Sequence, residues 1–233
     1  MQDFLFYQSV RKVKKMGIAA FSSILMAGGE SSLTQKEKVT KFGDITKKHL
    51  ANQDNTVAFT INGLEVTVDQ INKRKELEQS LGNLIITDSE NVKAVAEKML
   101  LLDEAKKQGI EISDEEARKA SLEEKASIYS GNTGEENLEA FSAYREALGI
   151  SEEEYWNDFH AKEMKEYLTI SALPEKVAKD AESHGKIKAQ SSKTEDLMKA
   201  KKKYFEDYKE NLYNSAKIEF NDSKLKAEVE GSK

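Results

Sequence analysis

Apolar residues recur along most of the chain at three- and four-residue intervals, with Lys and Glu between them, which is the spacing of helices that bury one face. Val92, Val95, Ala96, Met99 and Leu102 form one such stripe, from about Glu90, and Leu138, Phe141, Tyr144 and Leu148 form another. Ile71, Leu77, Leu81 and Leu84 mark a helix after Thr67, and Trp156, Phe159, His160, Glu163, Met164, Tyr167 and Leu168 mark one after Ser151. Met198, Lys201, Tyr204, Phe205, Tyr208 and Leu212 give a further amphipathic helix. Two places alternate instead. Val57 to Ile61 is β-prone and runs into Asn62-Gly63, a pair that supplies the positive φ of a two-residue hairpin turn. Near the other end, Lys217-Ile218-Glu219-Phe220 alternates like a short strand closed by Asn221-Asp222. A strand at each end of a helical body predicts that the two pair.

Punctuation between the helices is explicit. Gly109 follows the cationic turn of Lys106 and Lys107 as a left-handed stop, and Ser113 with Glu116 opens the next helix as a capping box. Gly149, then Ser151 with Glu154, repeats the device, and Thr67 with Gln70 has the same spacing. SGNTG at 130–134 reads as a loop, and Pro174 as a helix break or start. The expected fold is mainly α, with several helices and a small β element pairing the N- and C-terminal strands.

The N-terminal region reads differently. Arg11-Lys12-Val13-Lys14-Lys15 precedes MGIAAFSSILMAGG: a basic region, an apolar run of about a dozen residues and a small-residue exit, the parts of a secretory signal. A bilayer-spanning helix needs about 20 residues. The ten residues before the basic cluster are a long lead, and Met16 stands nearer a natural start. LMAGG resembles a lipoprotein signal in which Gly29 occupies the place of the lipidated cysteine, so no thioether-linked lipid can form. Export follows as an expectation, with cleavage near Ala27 to Gly29 or retention as a weak anchor. The expected organisation is an export signal at 1–29, a polar linker at 30–55, a helical domain at 56–222 with a polar connection at 178–195, and a charged, frayed tail at 223–233.

Composition narrows the chemistry. Of 233 residues, 38% are hydrophobic and 33% charged, with one proline, which suits long helices with solvated outer faces. The first 29 residues carry a net +3 within a chain total of −6, so the remainder carries −9. Such an acidic body argues against nucleic acid as a partner. Cysteine is absent, which removes disulfides, thiolate metal sites and cysteine catalysis. His49, His160 and His184 have no ligand spacing, so neither metal nor cofactor is expected. The carboxylate runs Asp114-Glu115-Glu116, Glu135-Glu136 and Glu152-Glu153-Glu154 sit at helix starts, where they offset the macrodipole. No phosphate loop or nucleophile elbow is present. An enzyme is therefore not expected.

VAFTINGLEVTVDQ, AVAEKMLLLDEAKKQGIEISDEEARKA, LGISEEEYWNDFHAKEMKEYL and FEDYKENLYNSAKIEFND, in that order behind an export signal, resemble the SurA N-terminal chaperone family, which includes the chaperone arms of PrsA-type exported foldases. The likeness covers roughly residues 56 to 222. Relatives often carry a parvulin prolyl isomerase domain between the last body helix and the C-terminal helix. Here that interval is only about Pro174 to Asp196, shorter than the roughly 50 residues an independent domain needs. The resemblance thus implies an extracytoplasmic, ATP-independent holdase without isomerase chemistry, a helical cradle for unfolded or newly exported polypeptide. Phe141, Tyr144, Tyr155, Trp156, Phe159, Met164 and Tyr167 are the candidate client contacts. A stripe of this kind ordinarily faces a core, and Trp156, Phe159 and Leu168 also fit that reading; Tyr144 and Tyr155 lie off the densest stripe and are expected at the surface. Two alternatives stand beside the holdase: an envelope scaffold binding one dedicated folded partner, and a subunit related to prolyl isomerase foldases. Membrane association is expected only through the N-terminal segment. End strands that pair within one chain can also pair between two, which makes a homodimer a further option.

Overall fold

Thr34 and Glu37 bond reciprocally: the Glu37 amide donates to the Thr34 hydroxyl and the Thr34 amide donates to the Glu37 carboxylate. This capping box opens a helix, α1 (Gln35–Ala51), where the sequence reading placed a polar linker. A computed structural model describes residues 33–80, 87–131, 133–187 and 194–231. The export signal expected at 1–29, together with Leu81 and Leu84, lies outside the described residues. After α1 come β1 (Val57–Ile61), β2 (Leu64–Thr67), α2 (Val68–Ser80), α3 (Asp88–Lys107), α4 (Asp114–Ile128) and α5 (Glu135–Leu148). A short α6 (Glu152–Glu154) leads through a π-helical turn (Tyr155–Phe159) into α7 (His160–Ser183). Then follow α8 (Thr194–Asn214), β3 (Ile218–Phe220) and α9 (Ser223–Glu230). The fold is mainly helical with one small antiparallel sheet, as the periodicity predicts.

The chain divides into two compact units rather than one helical body. The first takes in the described residues up to Asp54, from Asn72 to Thr87 and from Asp114 to Met164. Its core gathers Val39 from α1, Ile128 from α4, Ala140, Phe141, Ala143, Tyr144 and Leu148 from α5, and Tyr155 and Trp156 from the π turn. α1 packs along α5. Gly43 makes the approach possible: a Cβ there would stand 2.7 Å from the Tyr144 carbonyl oxygen and 2.7 Å from the Ala147 methyl. Two carbonyls of the π turn take side-chain donors from α4. The Ser121 hydroxyl donates to Trp156 O at 2.6 Å, and Arg118 Nε donates to Asn157 O at 3.3 Å.

The second unit comprises Asn55–Ile71, Asp88–Ser113 and the described residues from Lys165 onward. Its sheet has the order β2-β1-β3, antiparallel throughout. Asn62 (φ 51°) and Gly63 (φ 81°) make the tight turn between β1 and β2. Phe59 pairs with Phe220 and Ile61 with Ile218, so the two end strands clasp as expected. Asn62 tightens the clasp, since its side-chain oxygen accepts a 2.9 Å bond from the Lys217 amide. Phe59, Ile61 and Val66 meet Val92, Val95, Ala96 and Leu100 of α3 in the main core of this unit. The wholly buried Asn91 is satisfied by donating to Ile71 O at 3.0 Å.

Two further expectations are corrected here. The tail from Ser223 is not frayed: Asp222 caps α9, accepting from the Lys224 and Leu225 amides, and Val229 is buried in the sheet core. Nor does Pro174 end a helix, because α7 runs through it to Ser183. Leu173 and Val177 sit buried in the same apolar cluster on either side of the proline, and Ala178 and Ala181 are buried where a polar connection was expected. That burial outweighs the roughly 3 kcal/mol an interior proline costs.

Candidate functional site

The capping box at Ser151 and Glu154 starts α6 as the sequence predicts, and all three carboxylate runs fall in first helical turns. Beyond it the chain widens into the π turn, which shifts every following residue around the helix relative to a 3.6-residue reading. This shift, together with α1, decides the fate of the candidate client contacts. Five of the seven are core. Trp156 is 1% exposed, Phe141 3%, Met164 4%, Tyr144 5% and Tyr155 6%. Phe159 is half-buried against the same cluster, and Tyr167 is half-buried in the second unit. The expectation that Tyr144 and Tyr155 face solvent is therefore wrong. Tyr144 is covered by Phe42 of α1, whose ring lies 5.9 Å away, and Tyr155 is turned inward by the π turn to meet Phe141 and Trp156 edge-on at 5.2 and 4.9 Å.

His160 closes this aromatic cluster. Its ring stacks on Tyr155 with a 6° interplanar angle and meets Trp156 edge-on. Nε2 bonds to Glu124 at 3.1 Å, and Nδ1 lies 3.9 Å from Glu163. Burial alone would lower its pKa, but the bonds and charges of Glu124 and Glu163 outweigh it and raise the value to about 9. The imidazole thus lies against Tyr155 and Trp156 with its two nitrogens turned toward carboxylates, the nearer of them Glu124. Burial pushes the Tyr144 and Tyr155 hydroxyls up. The group orients α7 and offers no opening to a substrate.

A shallow recess of about 180 Å³, lined by Thr34, Gln35, Lys36, Glu136, Glu139 and Ala140, is also present in the first unit. It falls short of the roughly 300 Å³ at which small-molecule pockets begin.

Large apolar side chains stand exposed on both units, Leu50, Leu122 and Tyr129 on the first and Met198 on the second. α8 carries the aromatic stripe read from the sequence, yet no residue of it is fully buried. Tyr204, Phe205 and Tyr208 rest half-buried, with Leu101 and Ile110, on a core of just Ala105, Leu173 and Val177 among the described residues. Met198 lies two turns before Phe205 on that side of α8 and is 57% exposed. Lys209 Nζ lies over the Phe205 ring, 5.9 Å from its centroid. Within this apolar setting stands Glu104. The Tyr208 hydroxyl and the Gln108 amide nitrogen both donate to its Oε1, at 2.5 and 2.7 Å. Burial, and then the bond to Glu104, push the Tyr208 hydroxyl up. Lys201 of α8 pairs with Glu182 of α7 at 2.9 Å, fastening one side of the surface. The sequence showed this stripe as a helix but not as a site. The signal was its content, four aromatics and a methionine on a helix rich in Lys and Glu.

Among the described residues no three carboxylate or imidazole groups are placed to hold a metal, and no helix is long and apolar enough to cross a membrane. The fold is that of a mainly helical protein of two units, one built on a three-stranded antiparallel sheet in which the first and last strands pair. No family model, curated protein or solved structure matches the chain.

Proposed function

We propose that this protein is an exported, ATP-independent holdase that grips unfolded polypeptide on the apolar face of α8 and leaves it covalently unchanged. One observation carries the reading: the aromatics of α8 rest on a core of small extent among the described residues, so Tyr204, Phe205 and Tyr208 stay only half-buried, and Met198 on the same helix is exposed. Soluble proteins seldom retain a contiguous exposed apolar patch without a use. Aromatic rings give large contact area at low entropic cost, and a methionine adapts its shape to varied partners. The acidic remainder of the chain limits self-association of such a surface. The basic cluster at Arg11 to Lys15 and the apolar run after it support export, and the order of the four segments between about 56 and 222 supports a chaperone.

The test is suppression of aggregation. At a one-to-one ratio and without nucleotide, the full chain is expected to keep several denatured clients in solution, and the double variant Phe205→Ser, Met198→Ser is expected to lose most of that effect while retaining its helical circular dichroism. Aggregation of every client at the rate seen without the protein would overturn the proposal.

A further inference from the structure

Glu104 is a carboxylate in an apolar place with no cation of its own. Both bonds it accepts come from neutral donors, and both fall on Oε1. Among the described residues, Oε2 accepts no hydrogen bond and no Lys, Arg or His nitrogen lies within 4 Å of either oxygen. Lys106 follows Glu104 by two positions, off its face of the helix, and Lys107, one turn on, is held by Asp103 at 2.6 Å and feels Glu104 only as a weaker charge. Lys201 is occupied by Glu182, and Lys209 by Glu206 and the Phe205 ring. Its bonded neighbours are Tyr208 and Gln108, and Tyr208 packs with Leu101 on the apolar cluster that contains Ala105. Glu104 is half-buried and both of its bonds come from neutral donors, which leaves its second oxygen to a cationic donor brought by a ligand.

We propose that Glu104 makes this face selective: the polypeptide it takes carries a Lys or Arg side chain among large apolar residues, with the cation seated on Glu104 Oε2 and the apolar side chains on Phe205, Tyr204 and Leu101. The inference rests on the holdase reading and names its substrate class. The charge complementarity is local. A cation entering from solvent gains a charge-assisted bond in a partly dry setting, while the stem of a lysine or arginine lies along the rings that line the approach. The Tyr208 and Gln108 donors hold the carboxylate in place, so no reorganisation is needed when the ligand arrives.

Two labelled peptides test it by fluorescence anisotropy with the full chain: an unstructured apolar-aromatic peptide with one central lysine, and the same peptide with glutamine there. The lysine peptide is expected to bind about tenfold tighter at low ionic strength, the gap of a single well-placed charge pair, and the gap is expected to shrink as salt rises. Glu104→Gln keeps an acceptor for Tyr208 and Gln108, and is expected to erase the preference while leaving the affinity for the glutamine peptide unchanged. Phe205→Ser is expected to weaken both peptides alike. Equal binding of the two peptides by the natural chain, or a preference that survives in Glu104→Gln, overturns the selectivity and leaves the holdase reading intact. Binding of neither peptide overturns both. If Glu104→Gln does not fold, the salt series on the natural chain decides: a preference unaffected between about 50 mM and 500 mM salt overturns the inference.

Discussion

His160, one member of an amphipathic stripe in the sequence, is drawn between two carboxylates in the structure, because Glu124 from another helix and Glu163 from the next turn both approach it. Its pKa is raised from about 6.5 to about 9, so the folded state holds a proton that the unfolded chain releases more readily. The stability this contributes is complete below about pH 6.5 and is lost as pH rises through about 9. Urea denaturation midpoints measured from pH 6 to pH 10 are expected to fall across that window, by an amount on the order of 3 kcal/mol at most. His160→Gln is expected to flatten the dependence. A natural chain with a level profile over the same range would contradict the arrangement. Tyr155 teaches the opposite lesson about reading single residues. Its place off the apolar stripe suggested exposure, but the stripe was drawn with 3.6 residues per turn and the chain uses a π turn there. Nothing in the residues Tyr155–Phe159 themselves announces the wider turn, because it is fixed by contacts with α4 that include the Ser121 and Arg118 bonds.

Local signals located most helices and caps. Thr67 with Gln70 and Ser151 with Glu154 bond as their spacing predicts, and α4 begins at Asp114, which puts Ser113 at the N-cap position. α1 shows where such reading fails. Its cap, Thr34 and Glu37, was legible, but its buried positions are Lys38, Val39, Gly43, Thr46 and His49, types that give almost no hydrophobic period. Gly43 looks like a helix weakness and is instead the point of closest approach to α5. In an open helix, Gly→Ala would gain about 1 kcal/mol. Here the new methyl would collide with the backbone oxygen of Tyr144, and overpacking of that kind costs about 1–3 kcal/mol. Gly43→Ala is therefore expected to lower the thermal midpoint, and a raised midpoint would show that α1 does not lie against α5. α9 is hidden in the sequence for a similar reason: Leu225 and Val229 are too few to mark a stripe, and Asp222, its cap, also fits the close of a strand.

For the molecule as a whole, the joining of its ends is the feature with the widest consequence. β1 takes β2 on one edge and β3 on the other, and α9 returns Val229 to the core beneath. Removing residues 217–233 strips β1 of one neighbour and opens the apolar cluster around Phe59. The truncated chain is expected to lose amide exchange protection at Phe59 to Ile61, and full protection there would refute the clasp as a source of stability. The sequence by itself determined the helical class, the hairpin at Asn62-Gly63, the strand at Ile218 to Phe220 and the prospect that the end strands pair, because each rests on periodicity or on backbone geometry that a few adjacent residues dictate. Only the tertiary structure decided which aromatics are core and which remain open. The rings at 141–156 are covered by α1 and the π turn, whereas among the described residues those of α8 lie half-buried on Ala105, Leu173 and Val177. Burial is a property of what lies opposite a side chain, and the residues opposite lie far off in sequence, as Phe42 does from Tyr144 and Phe220 from Phe59.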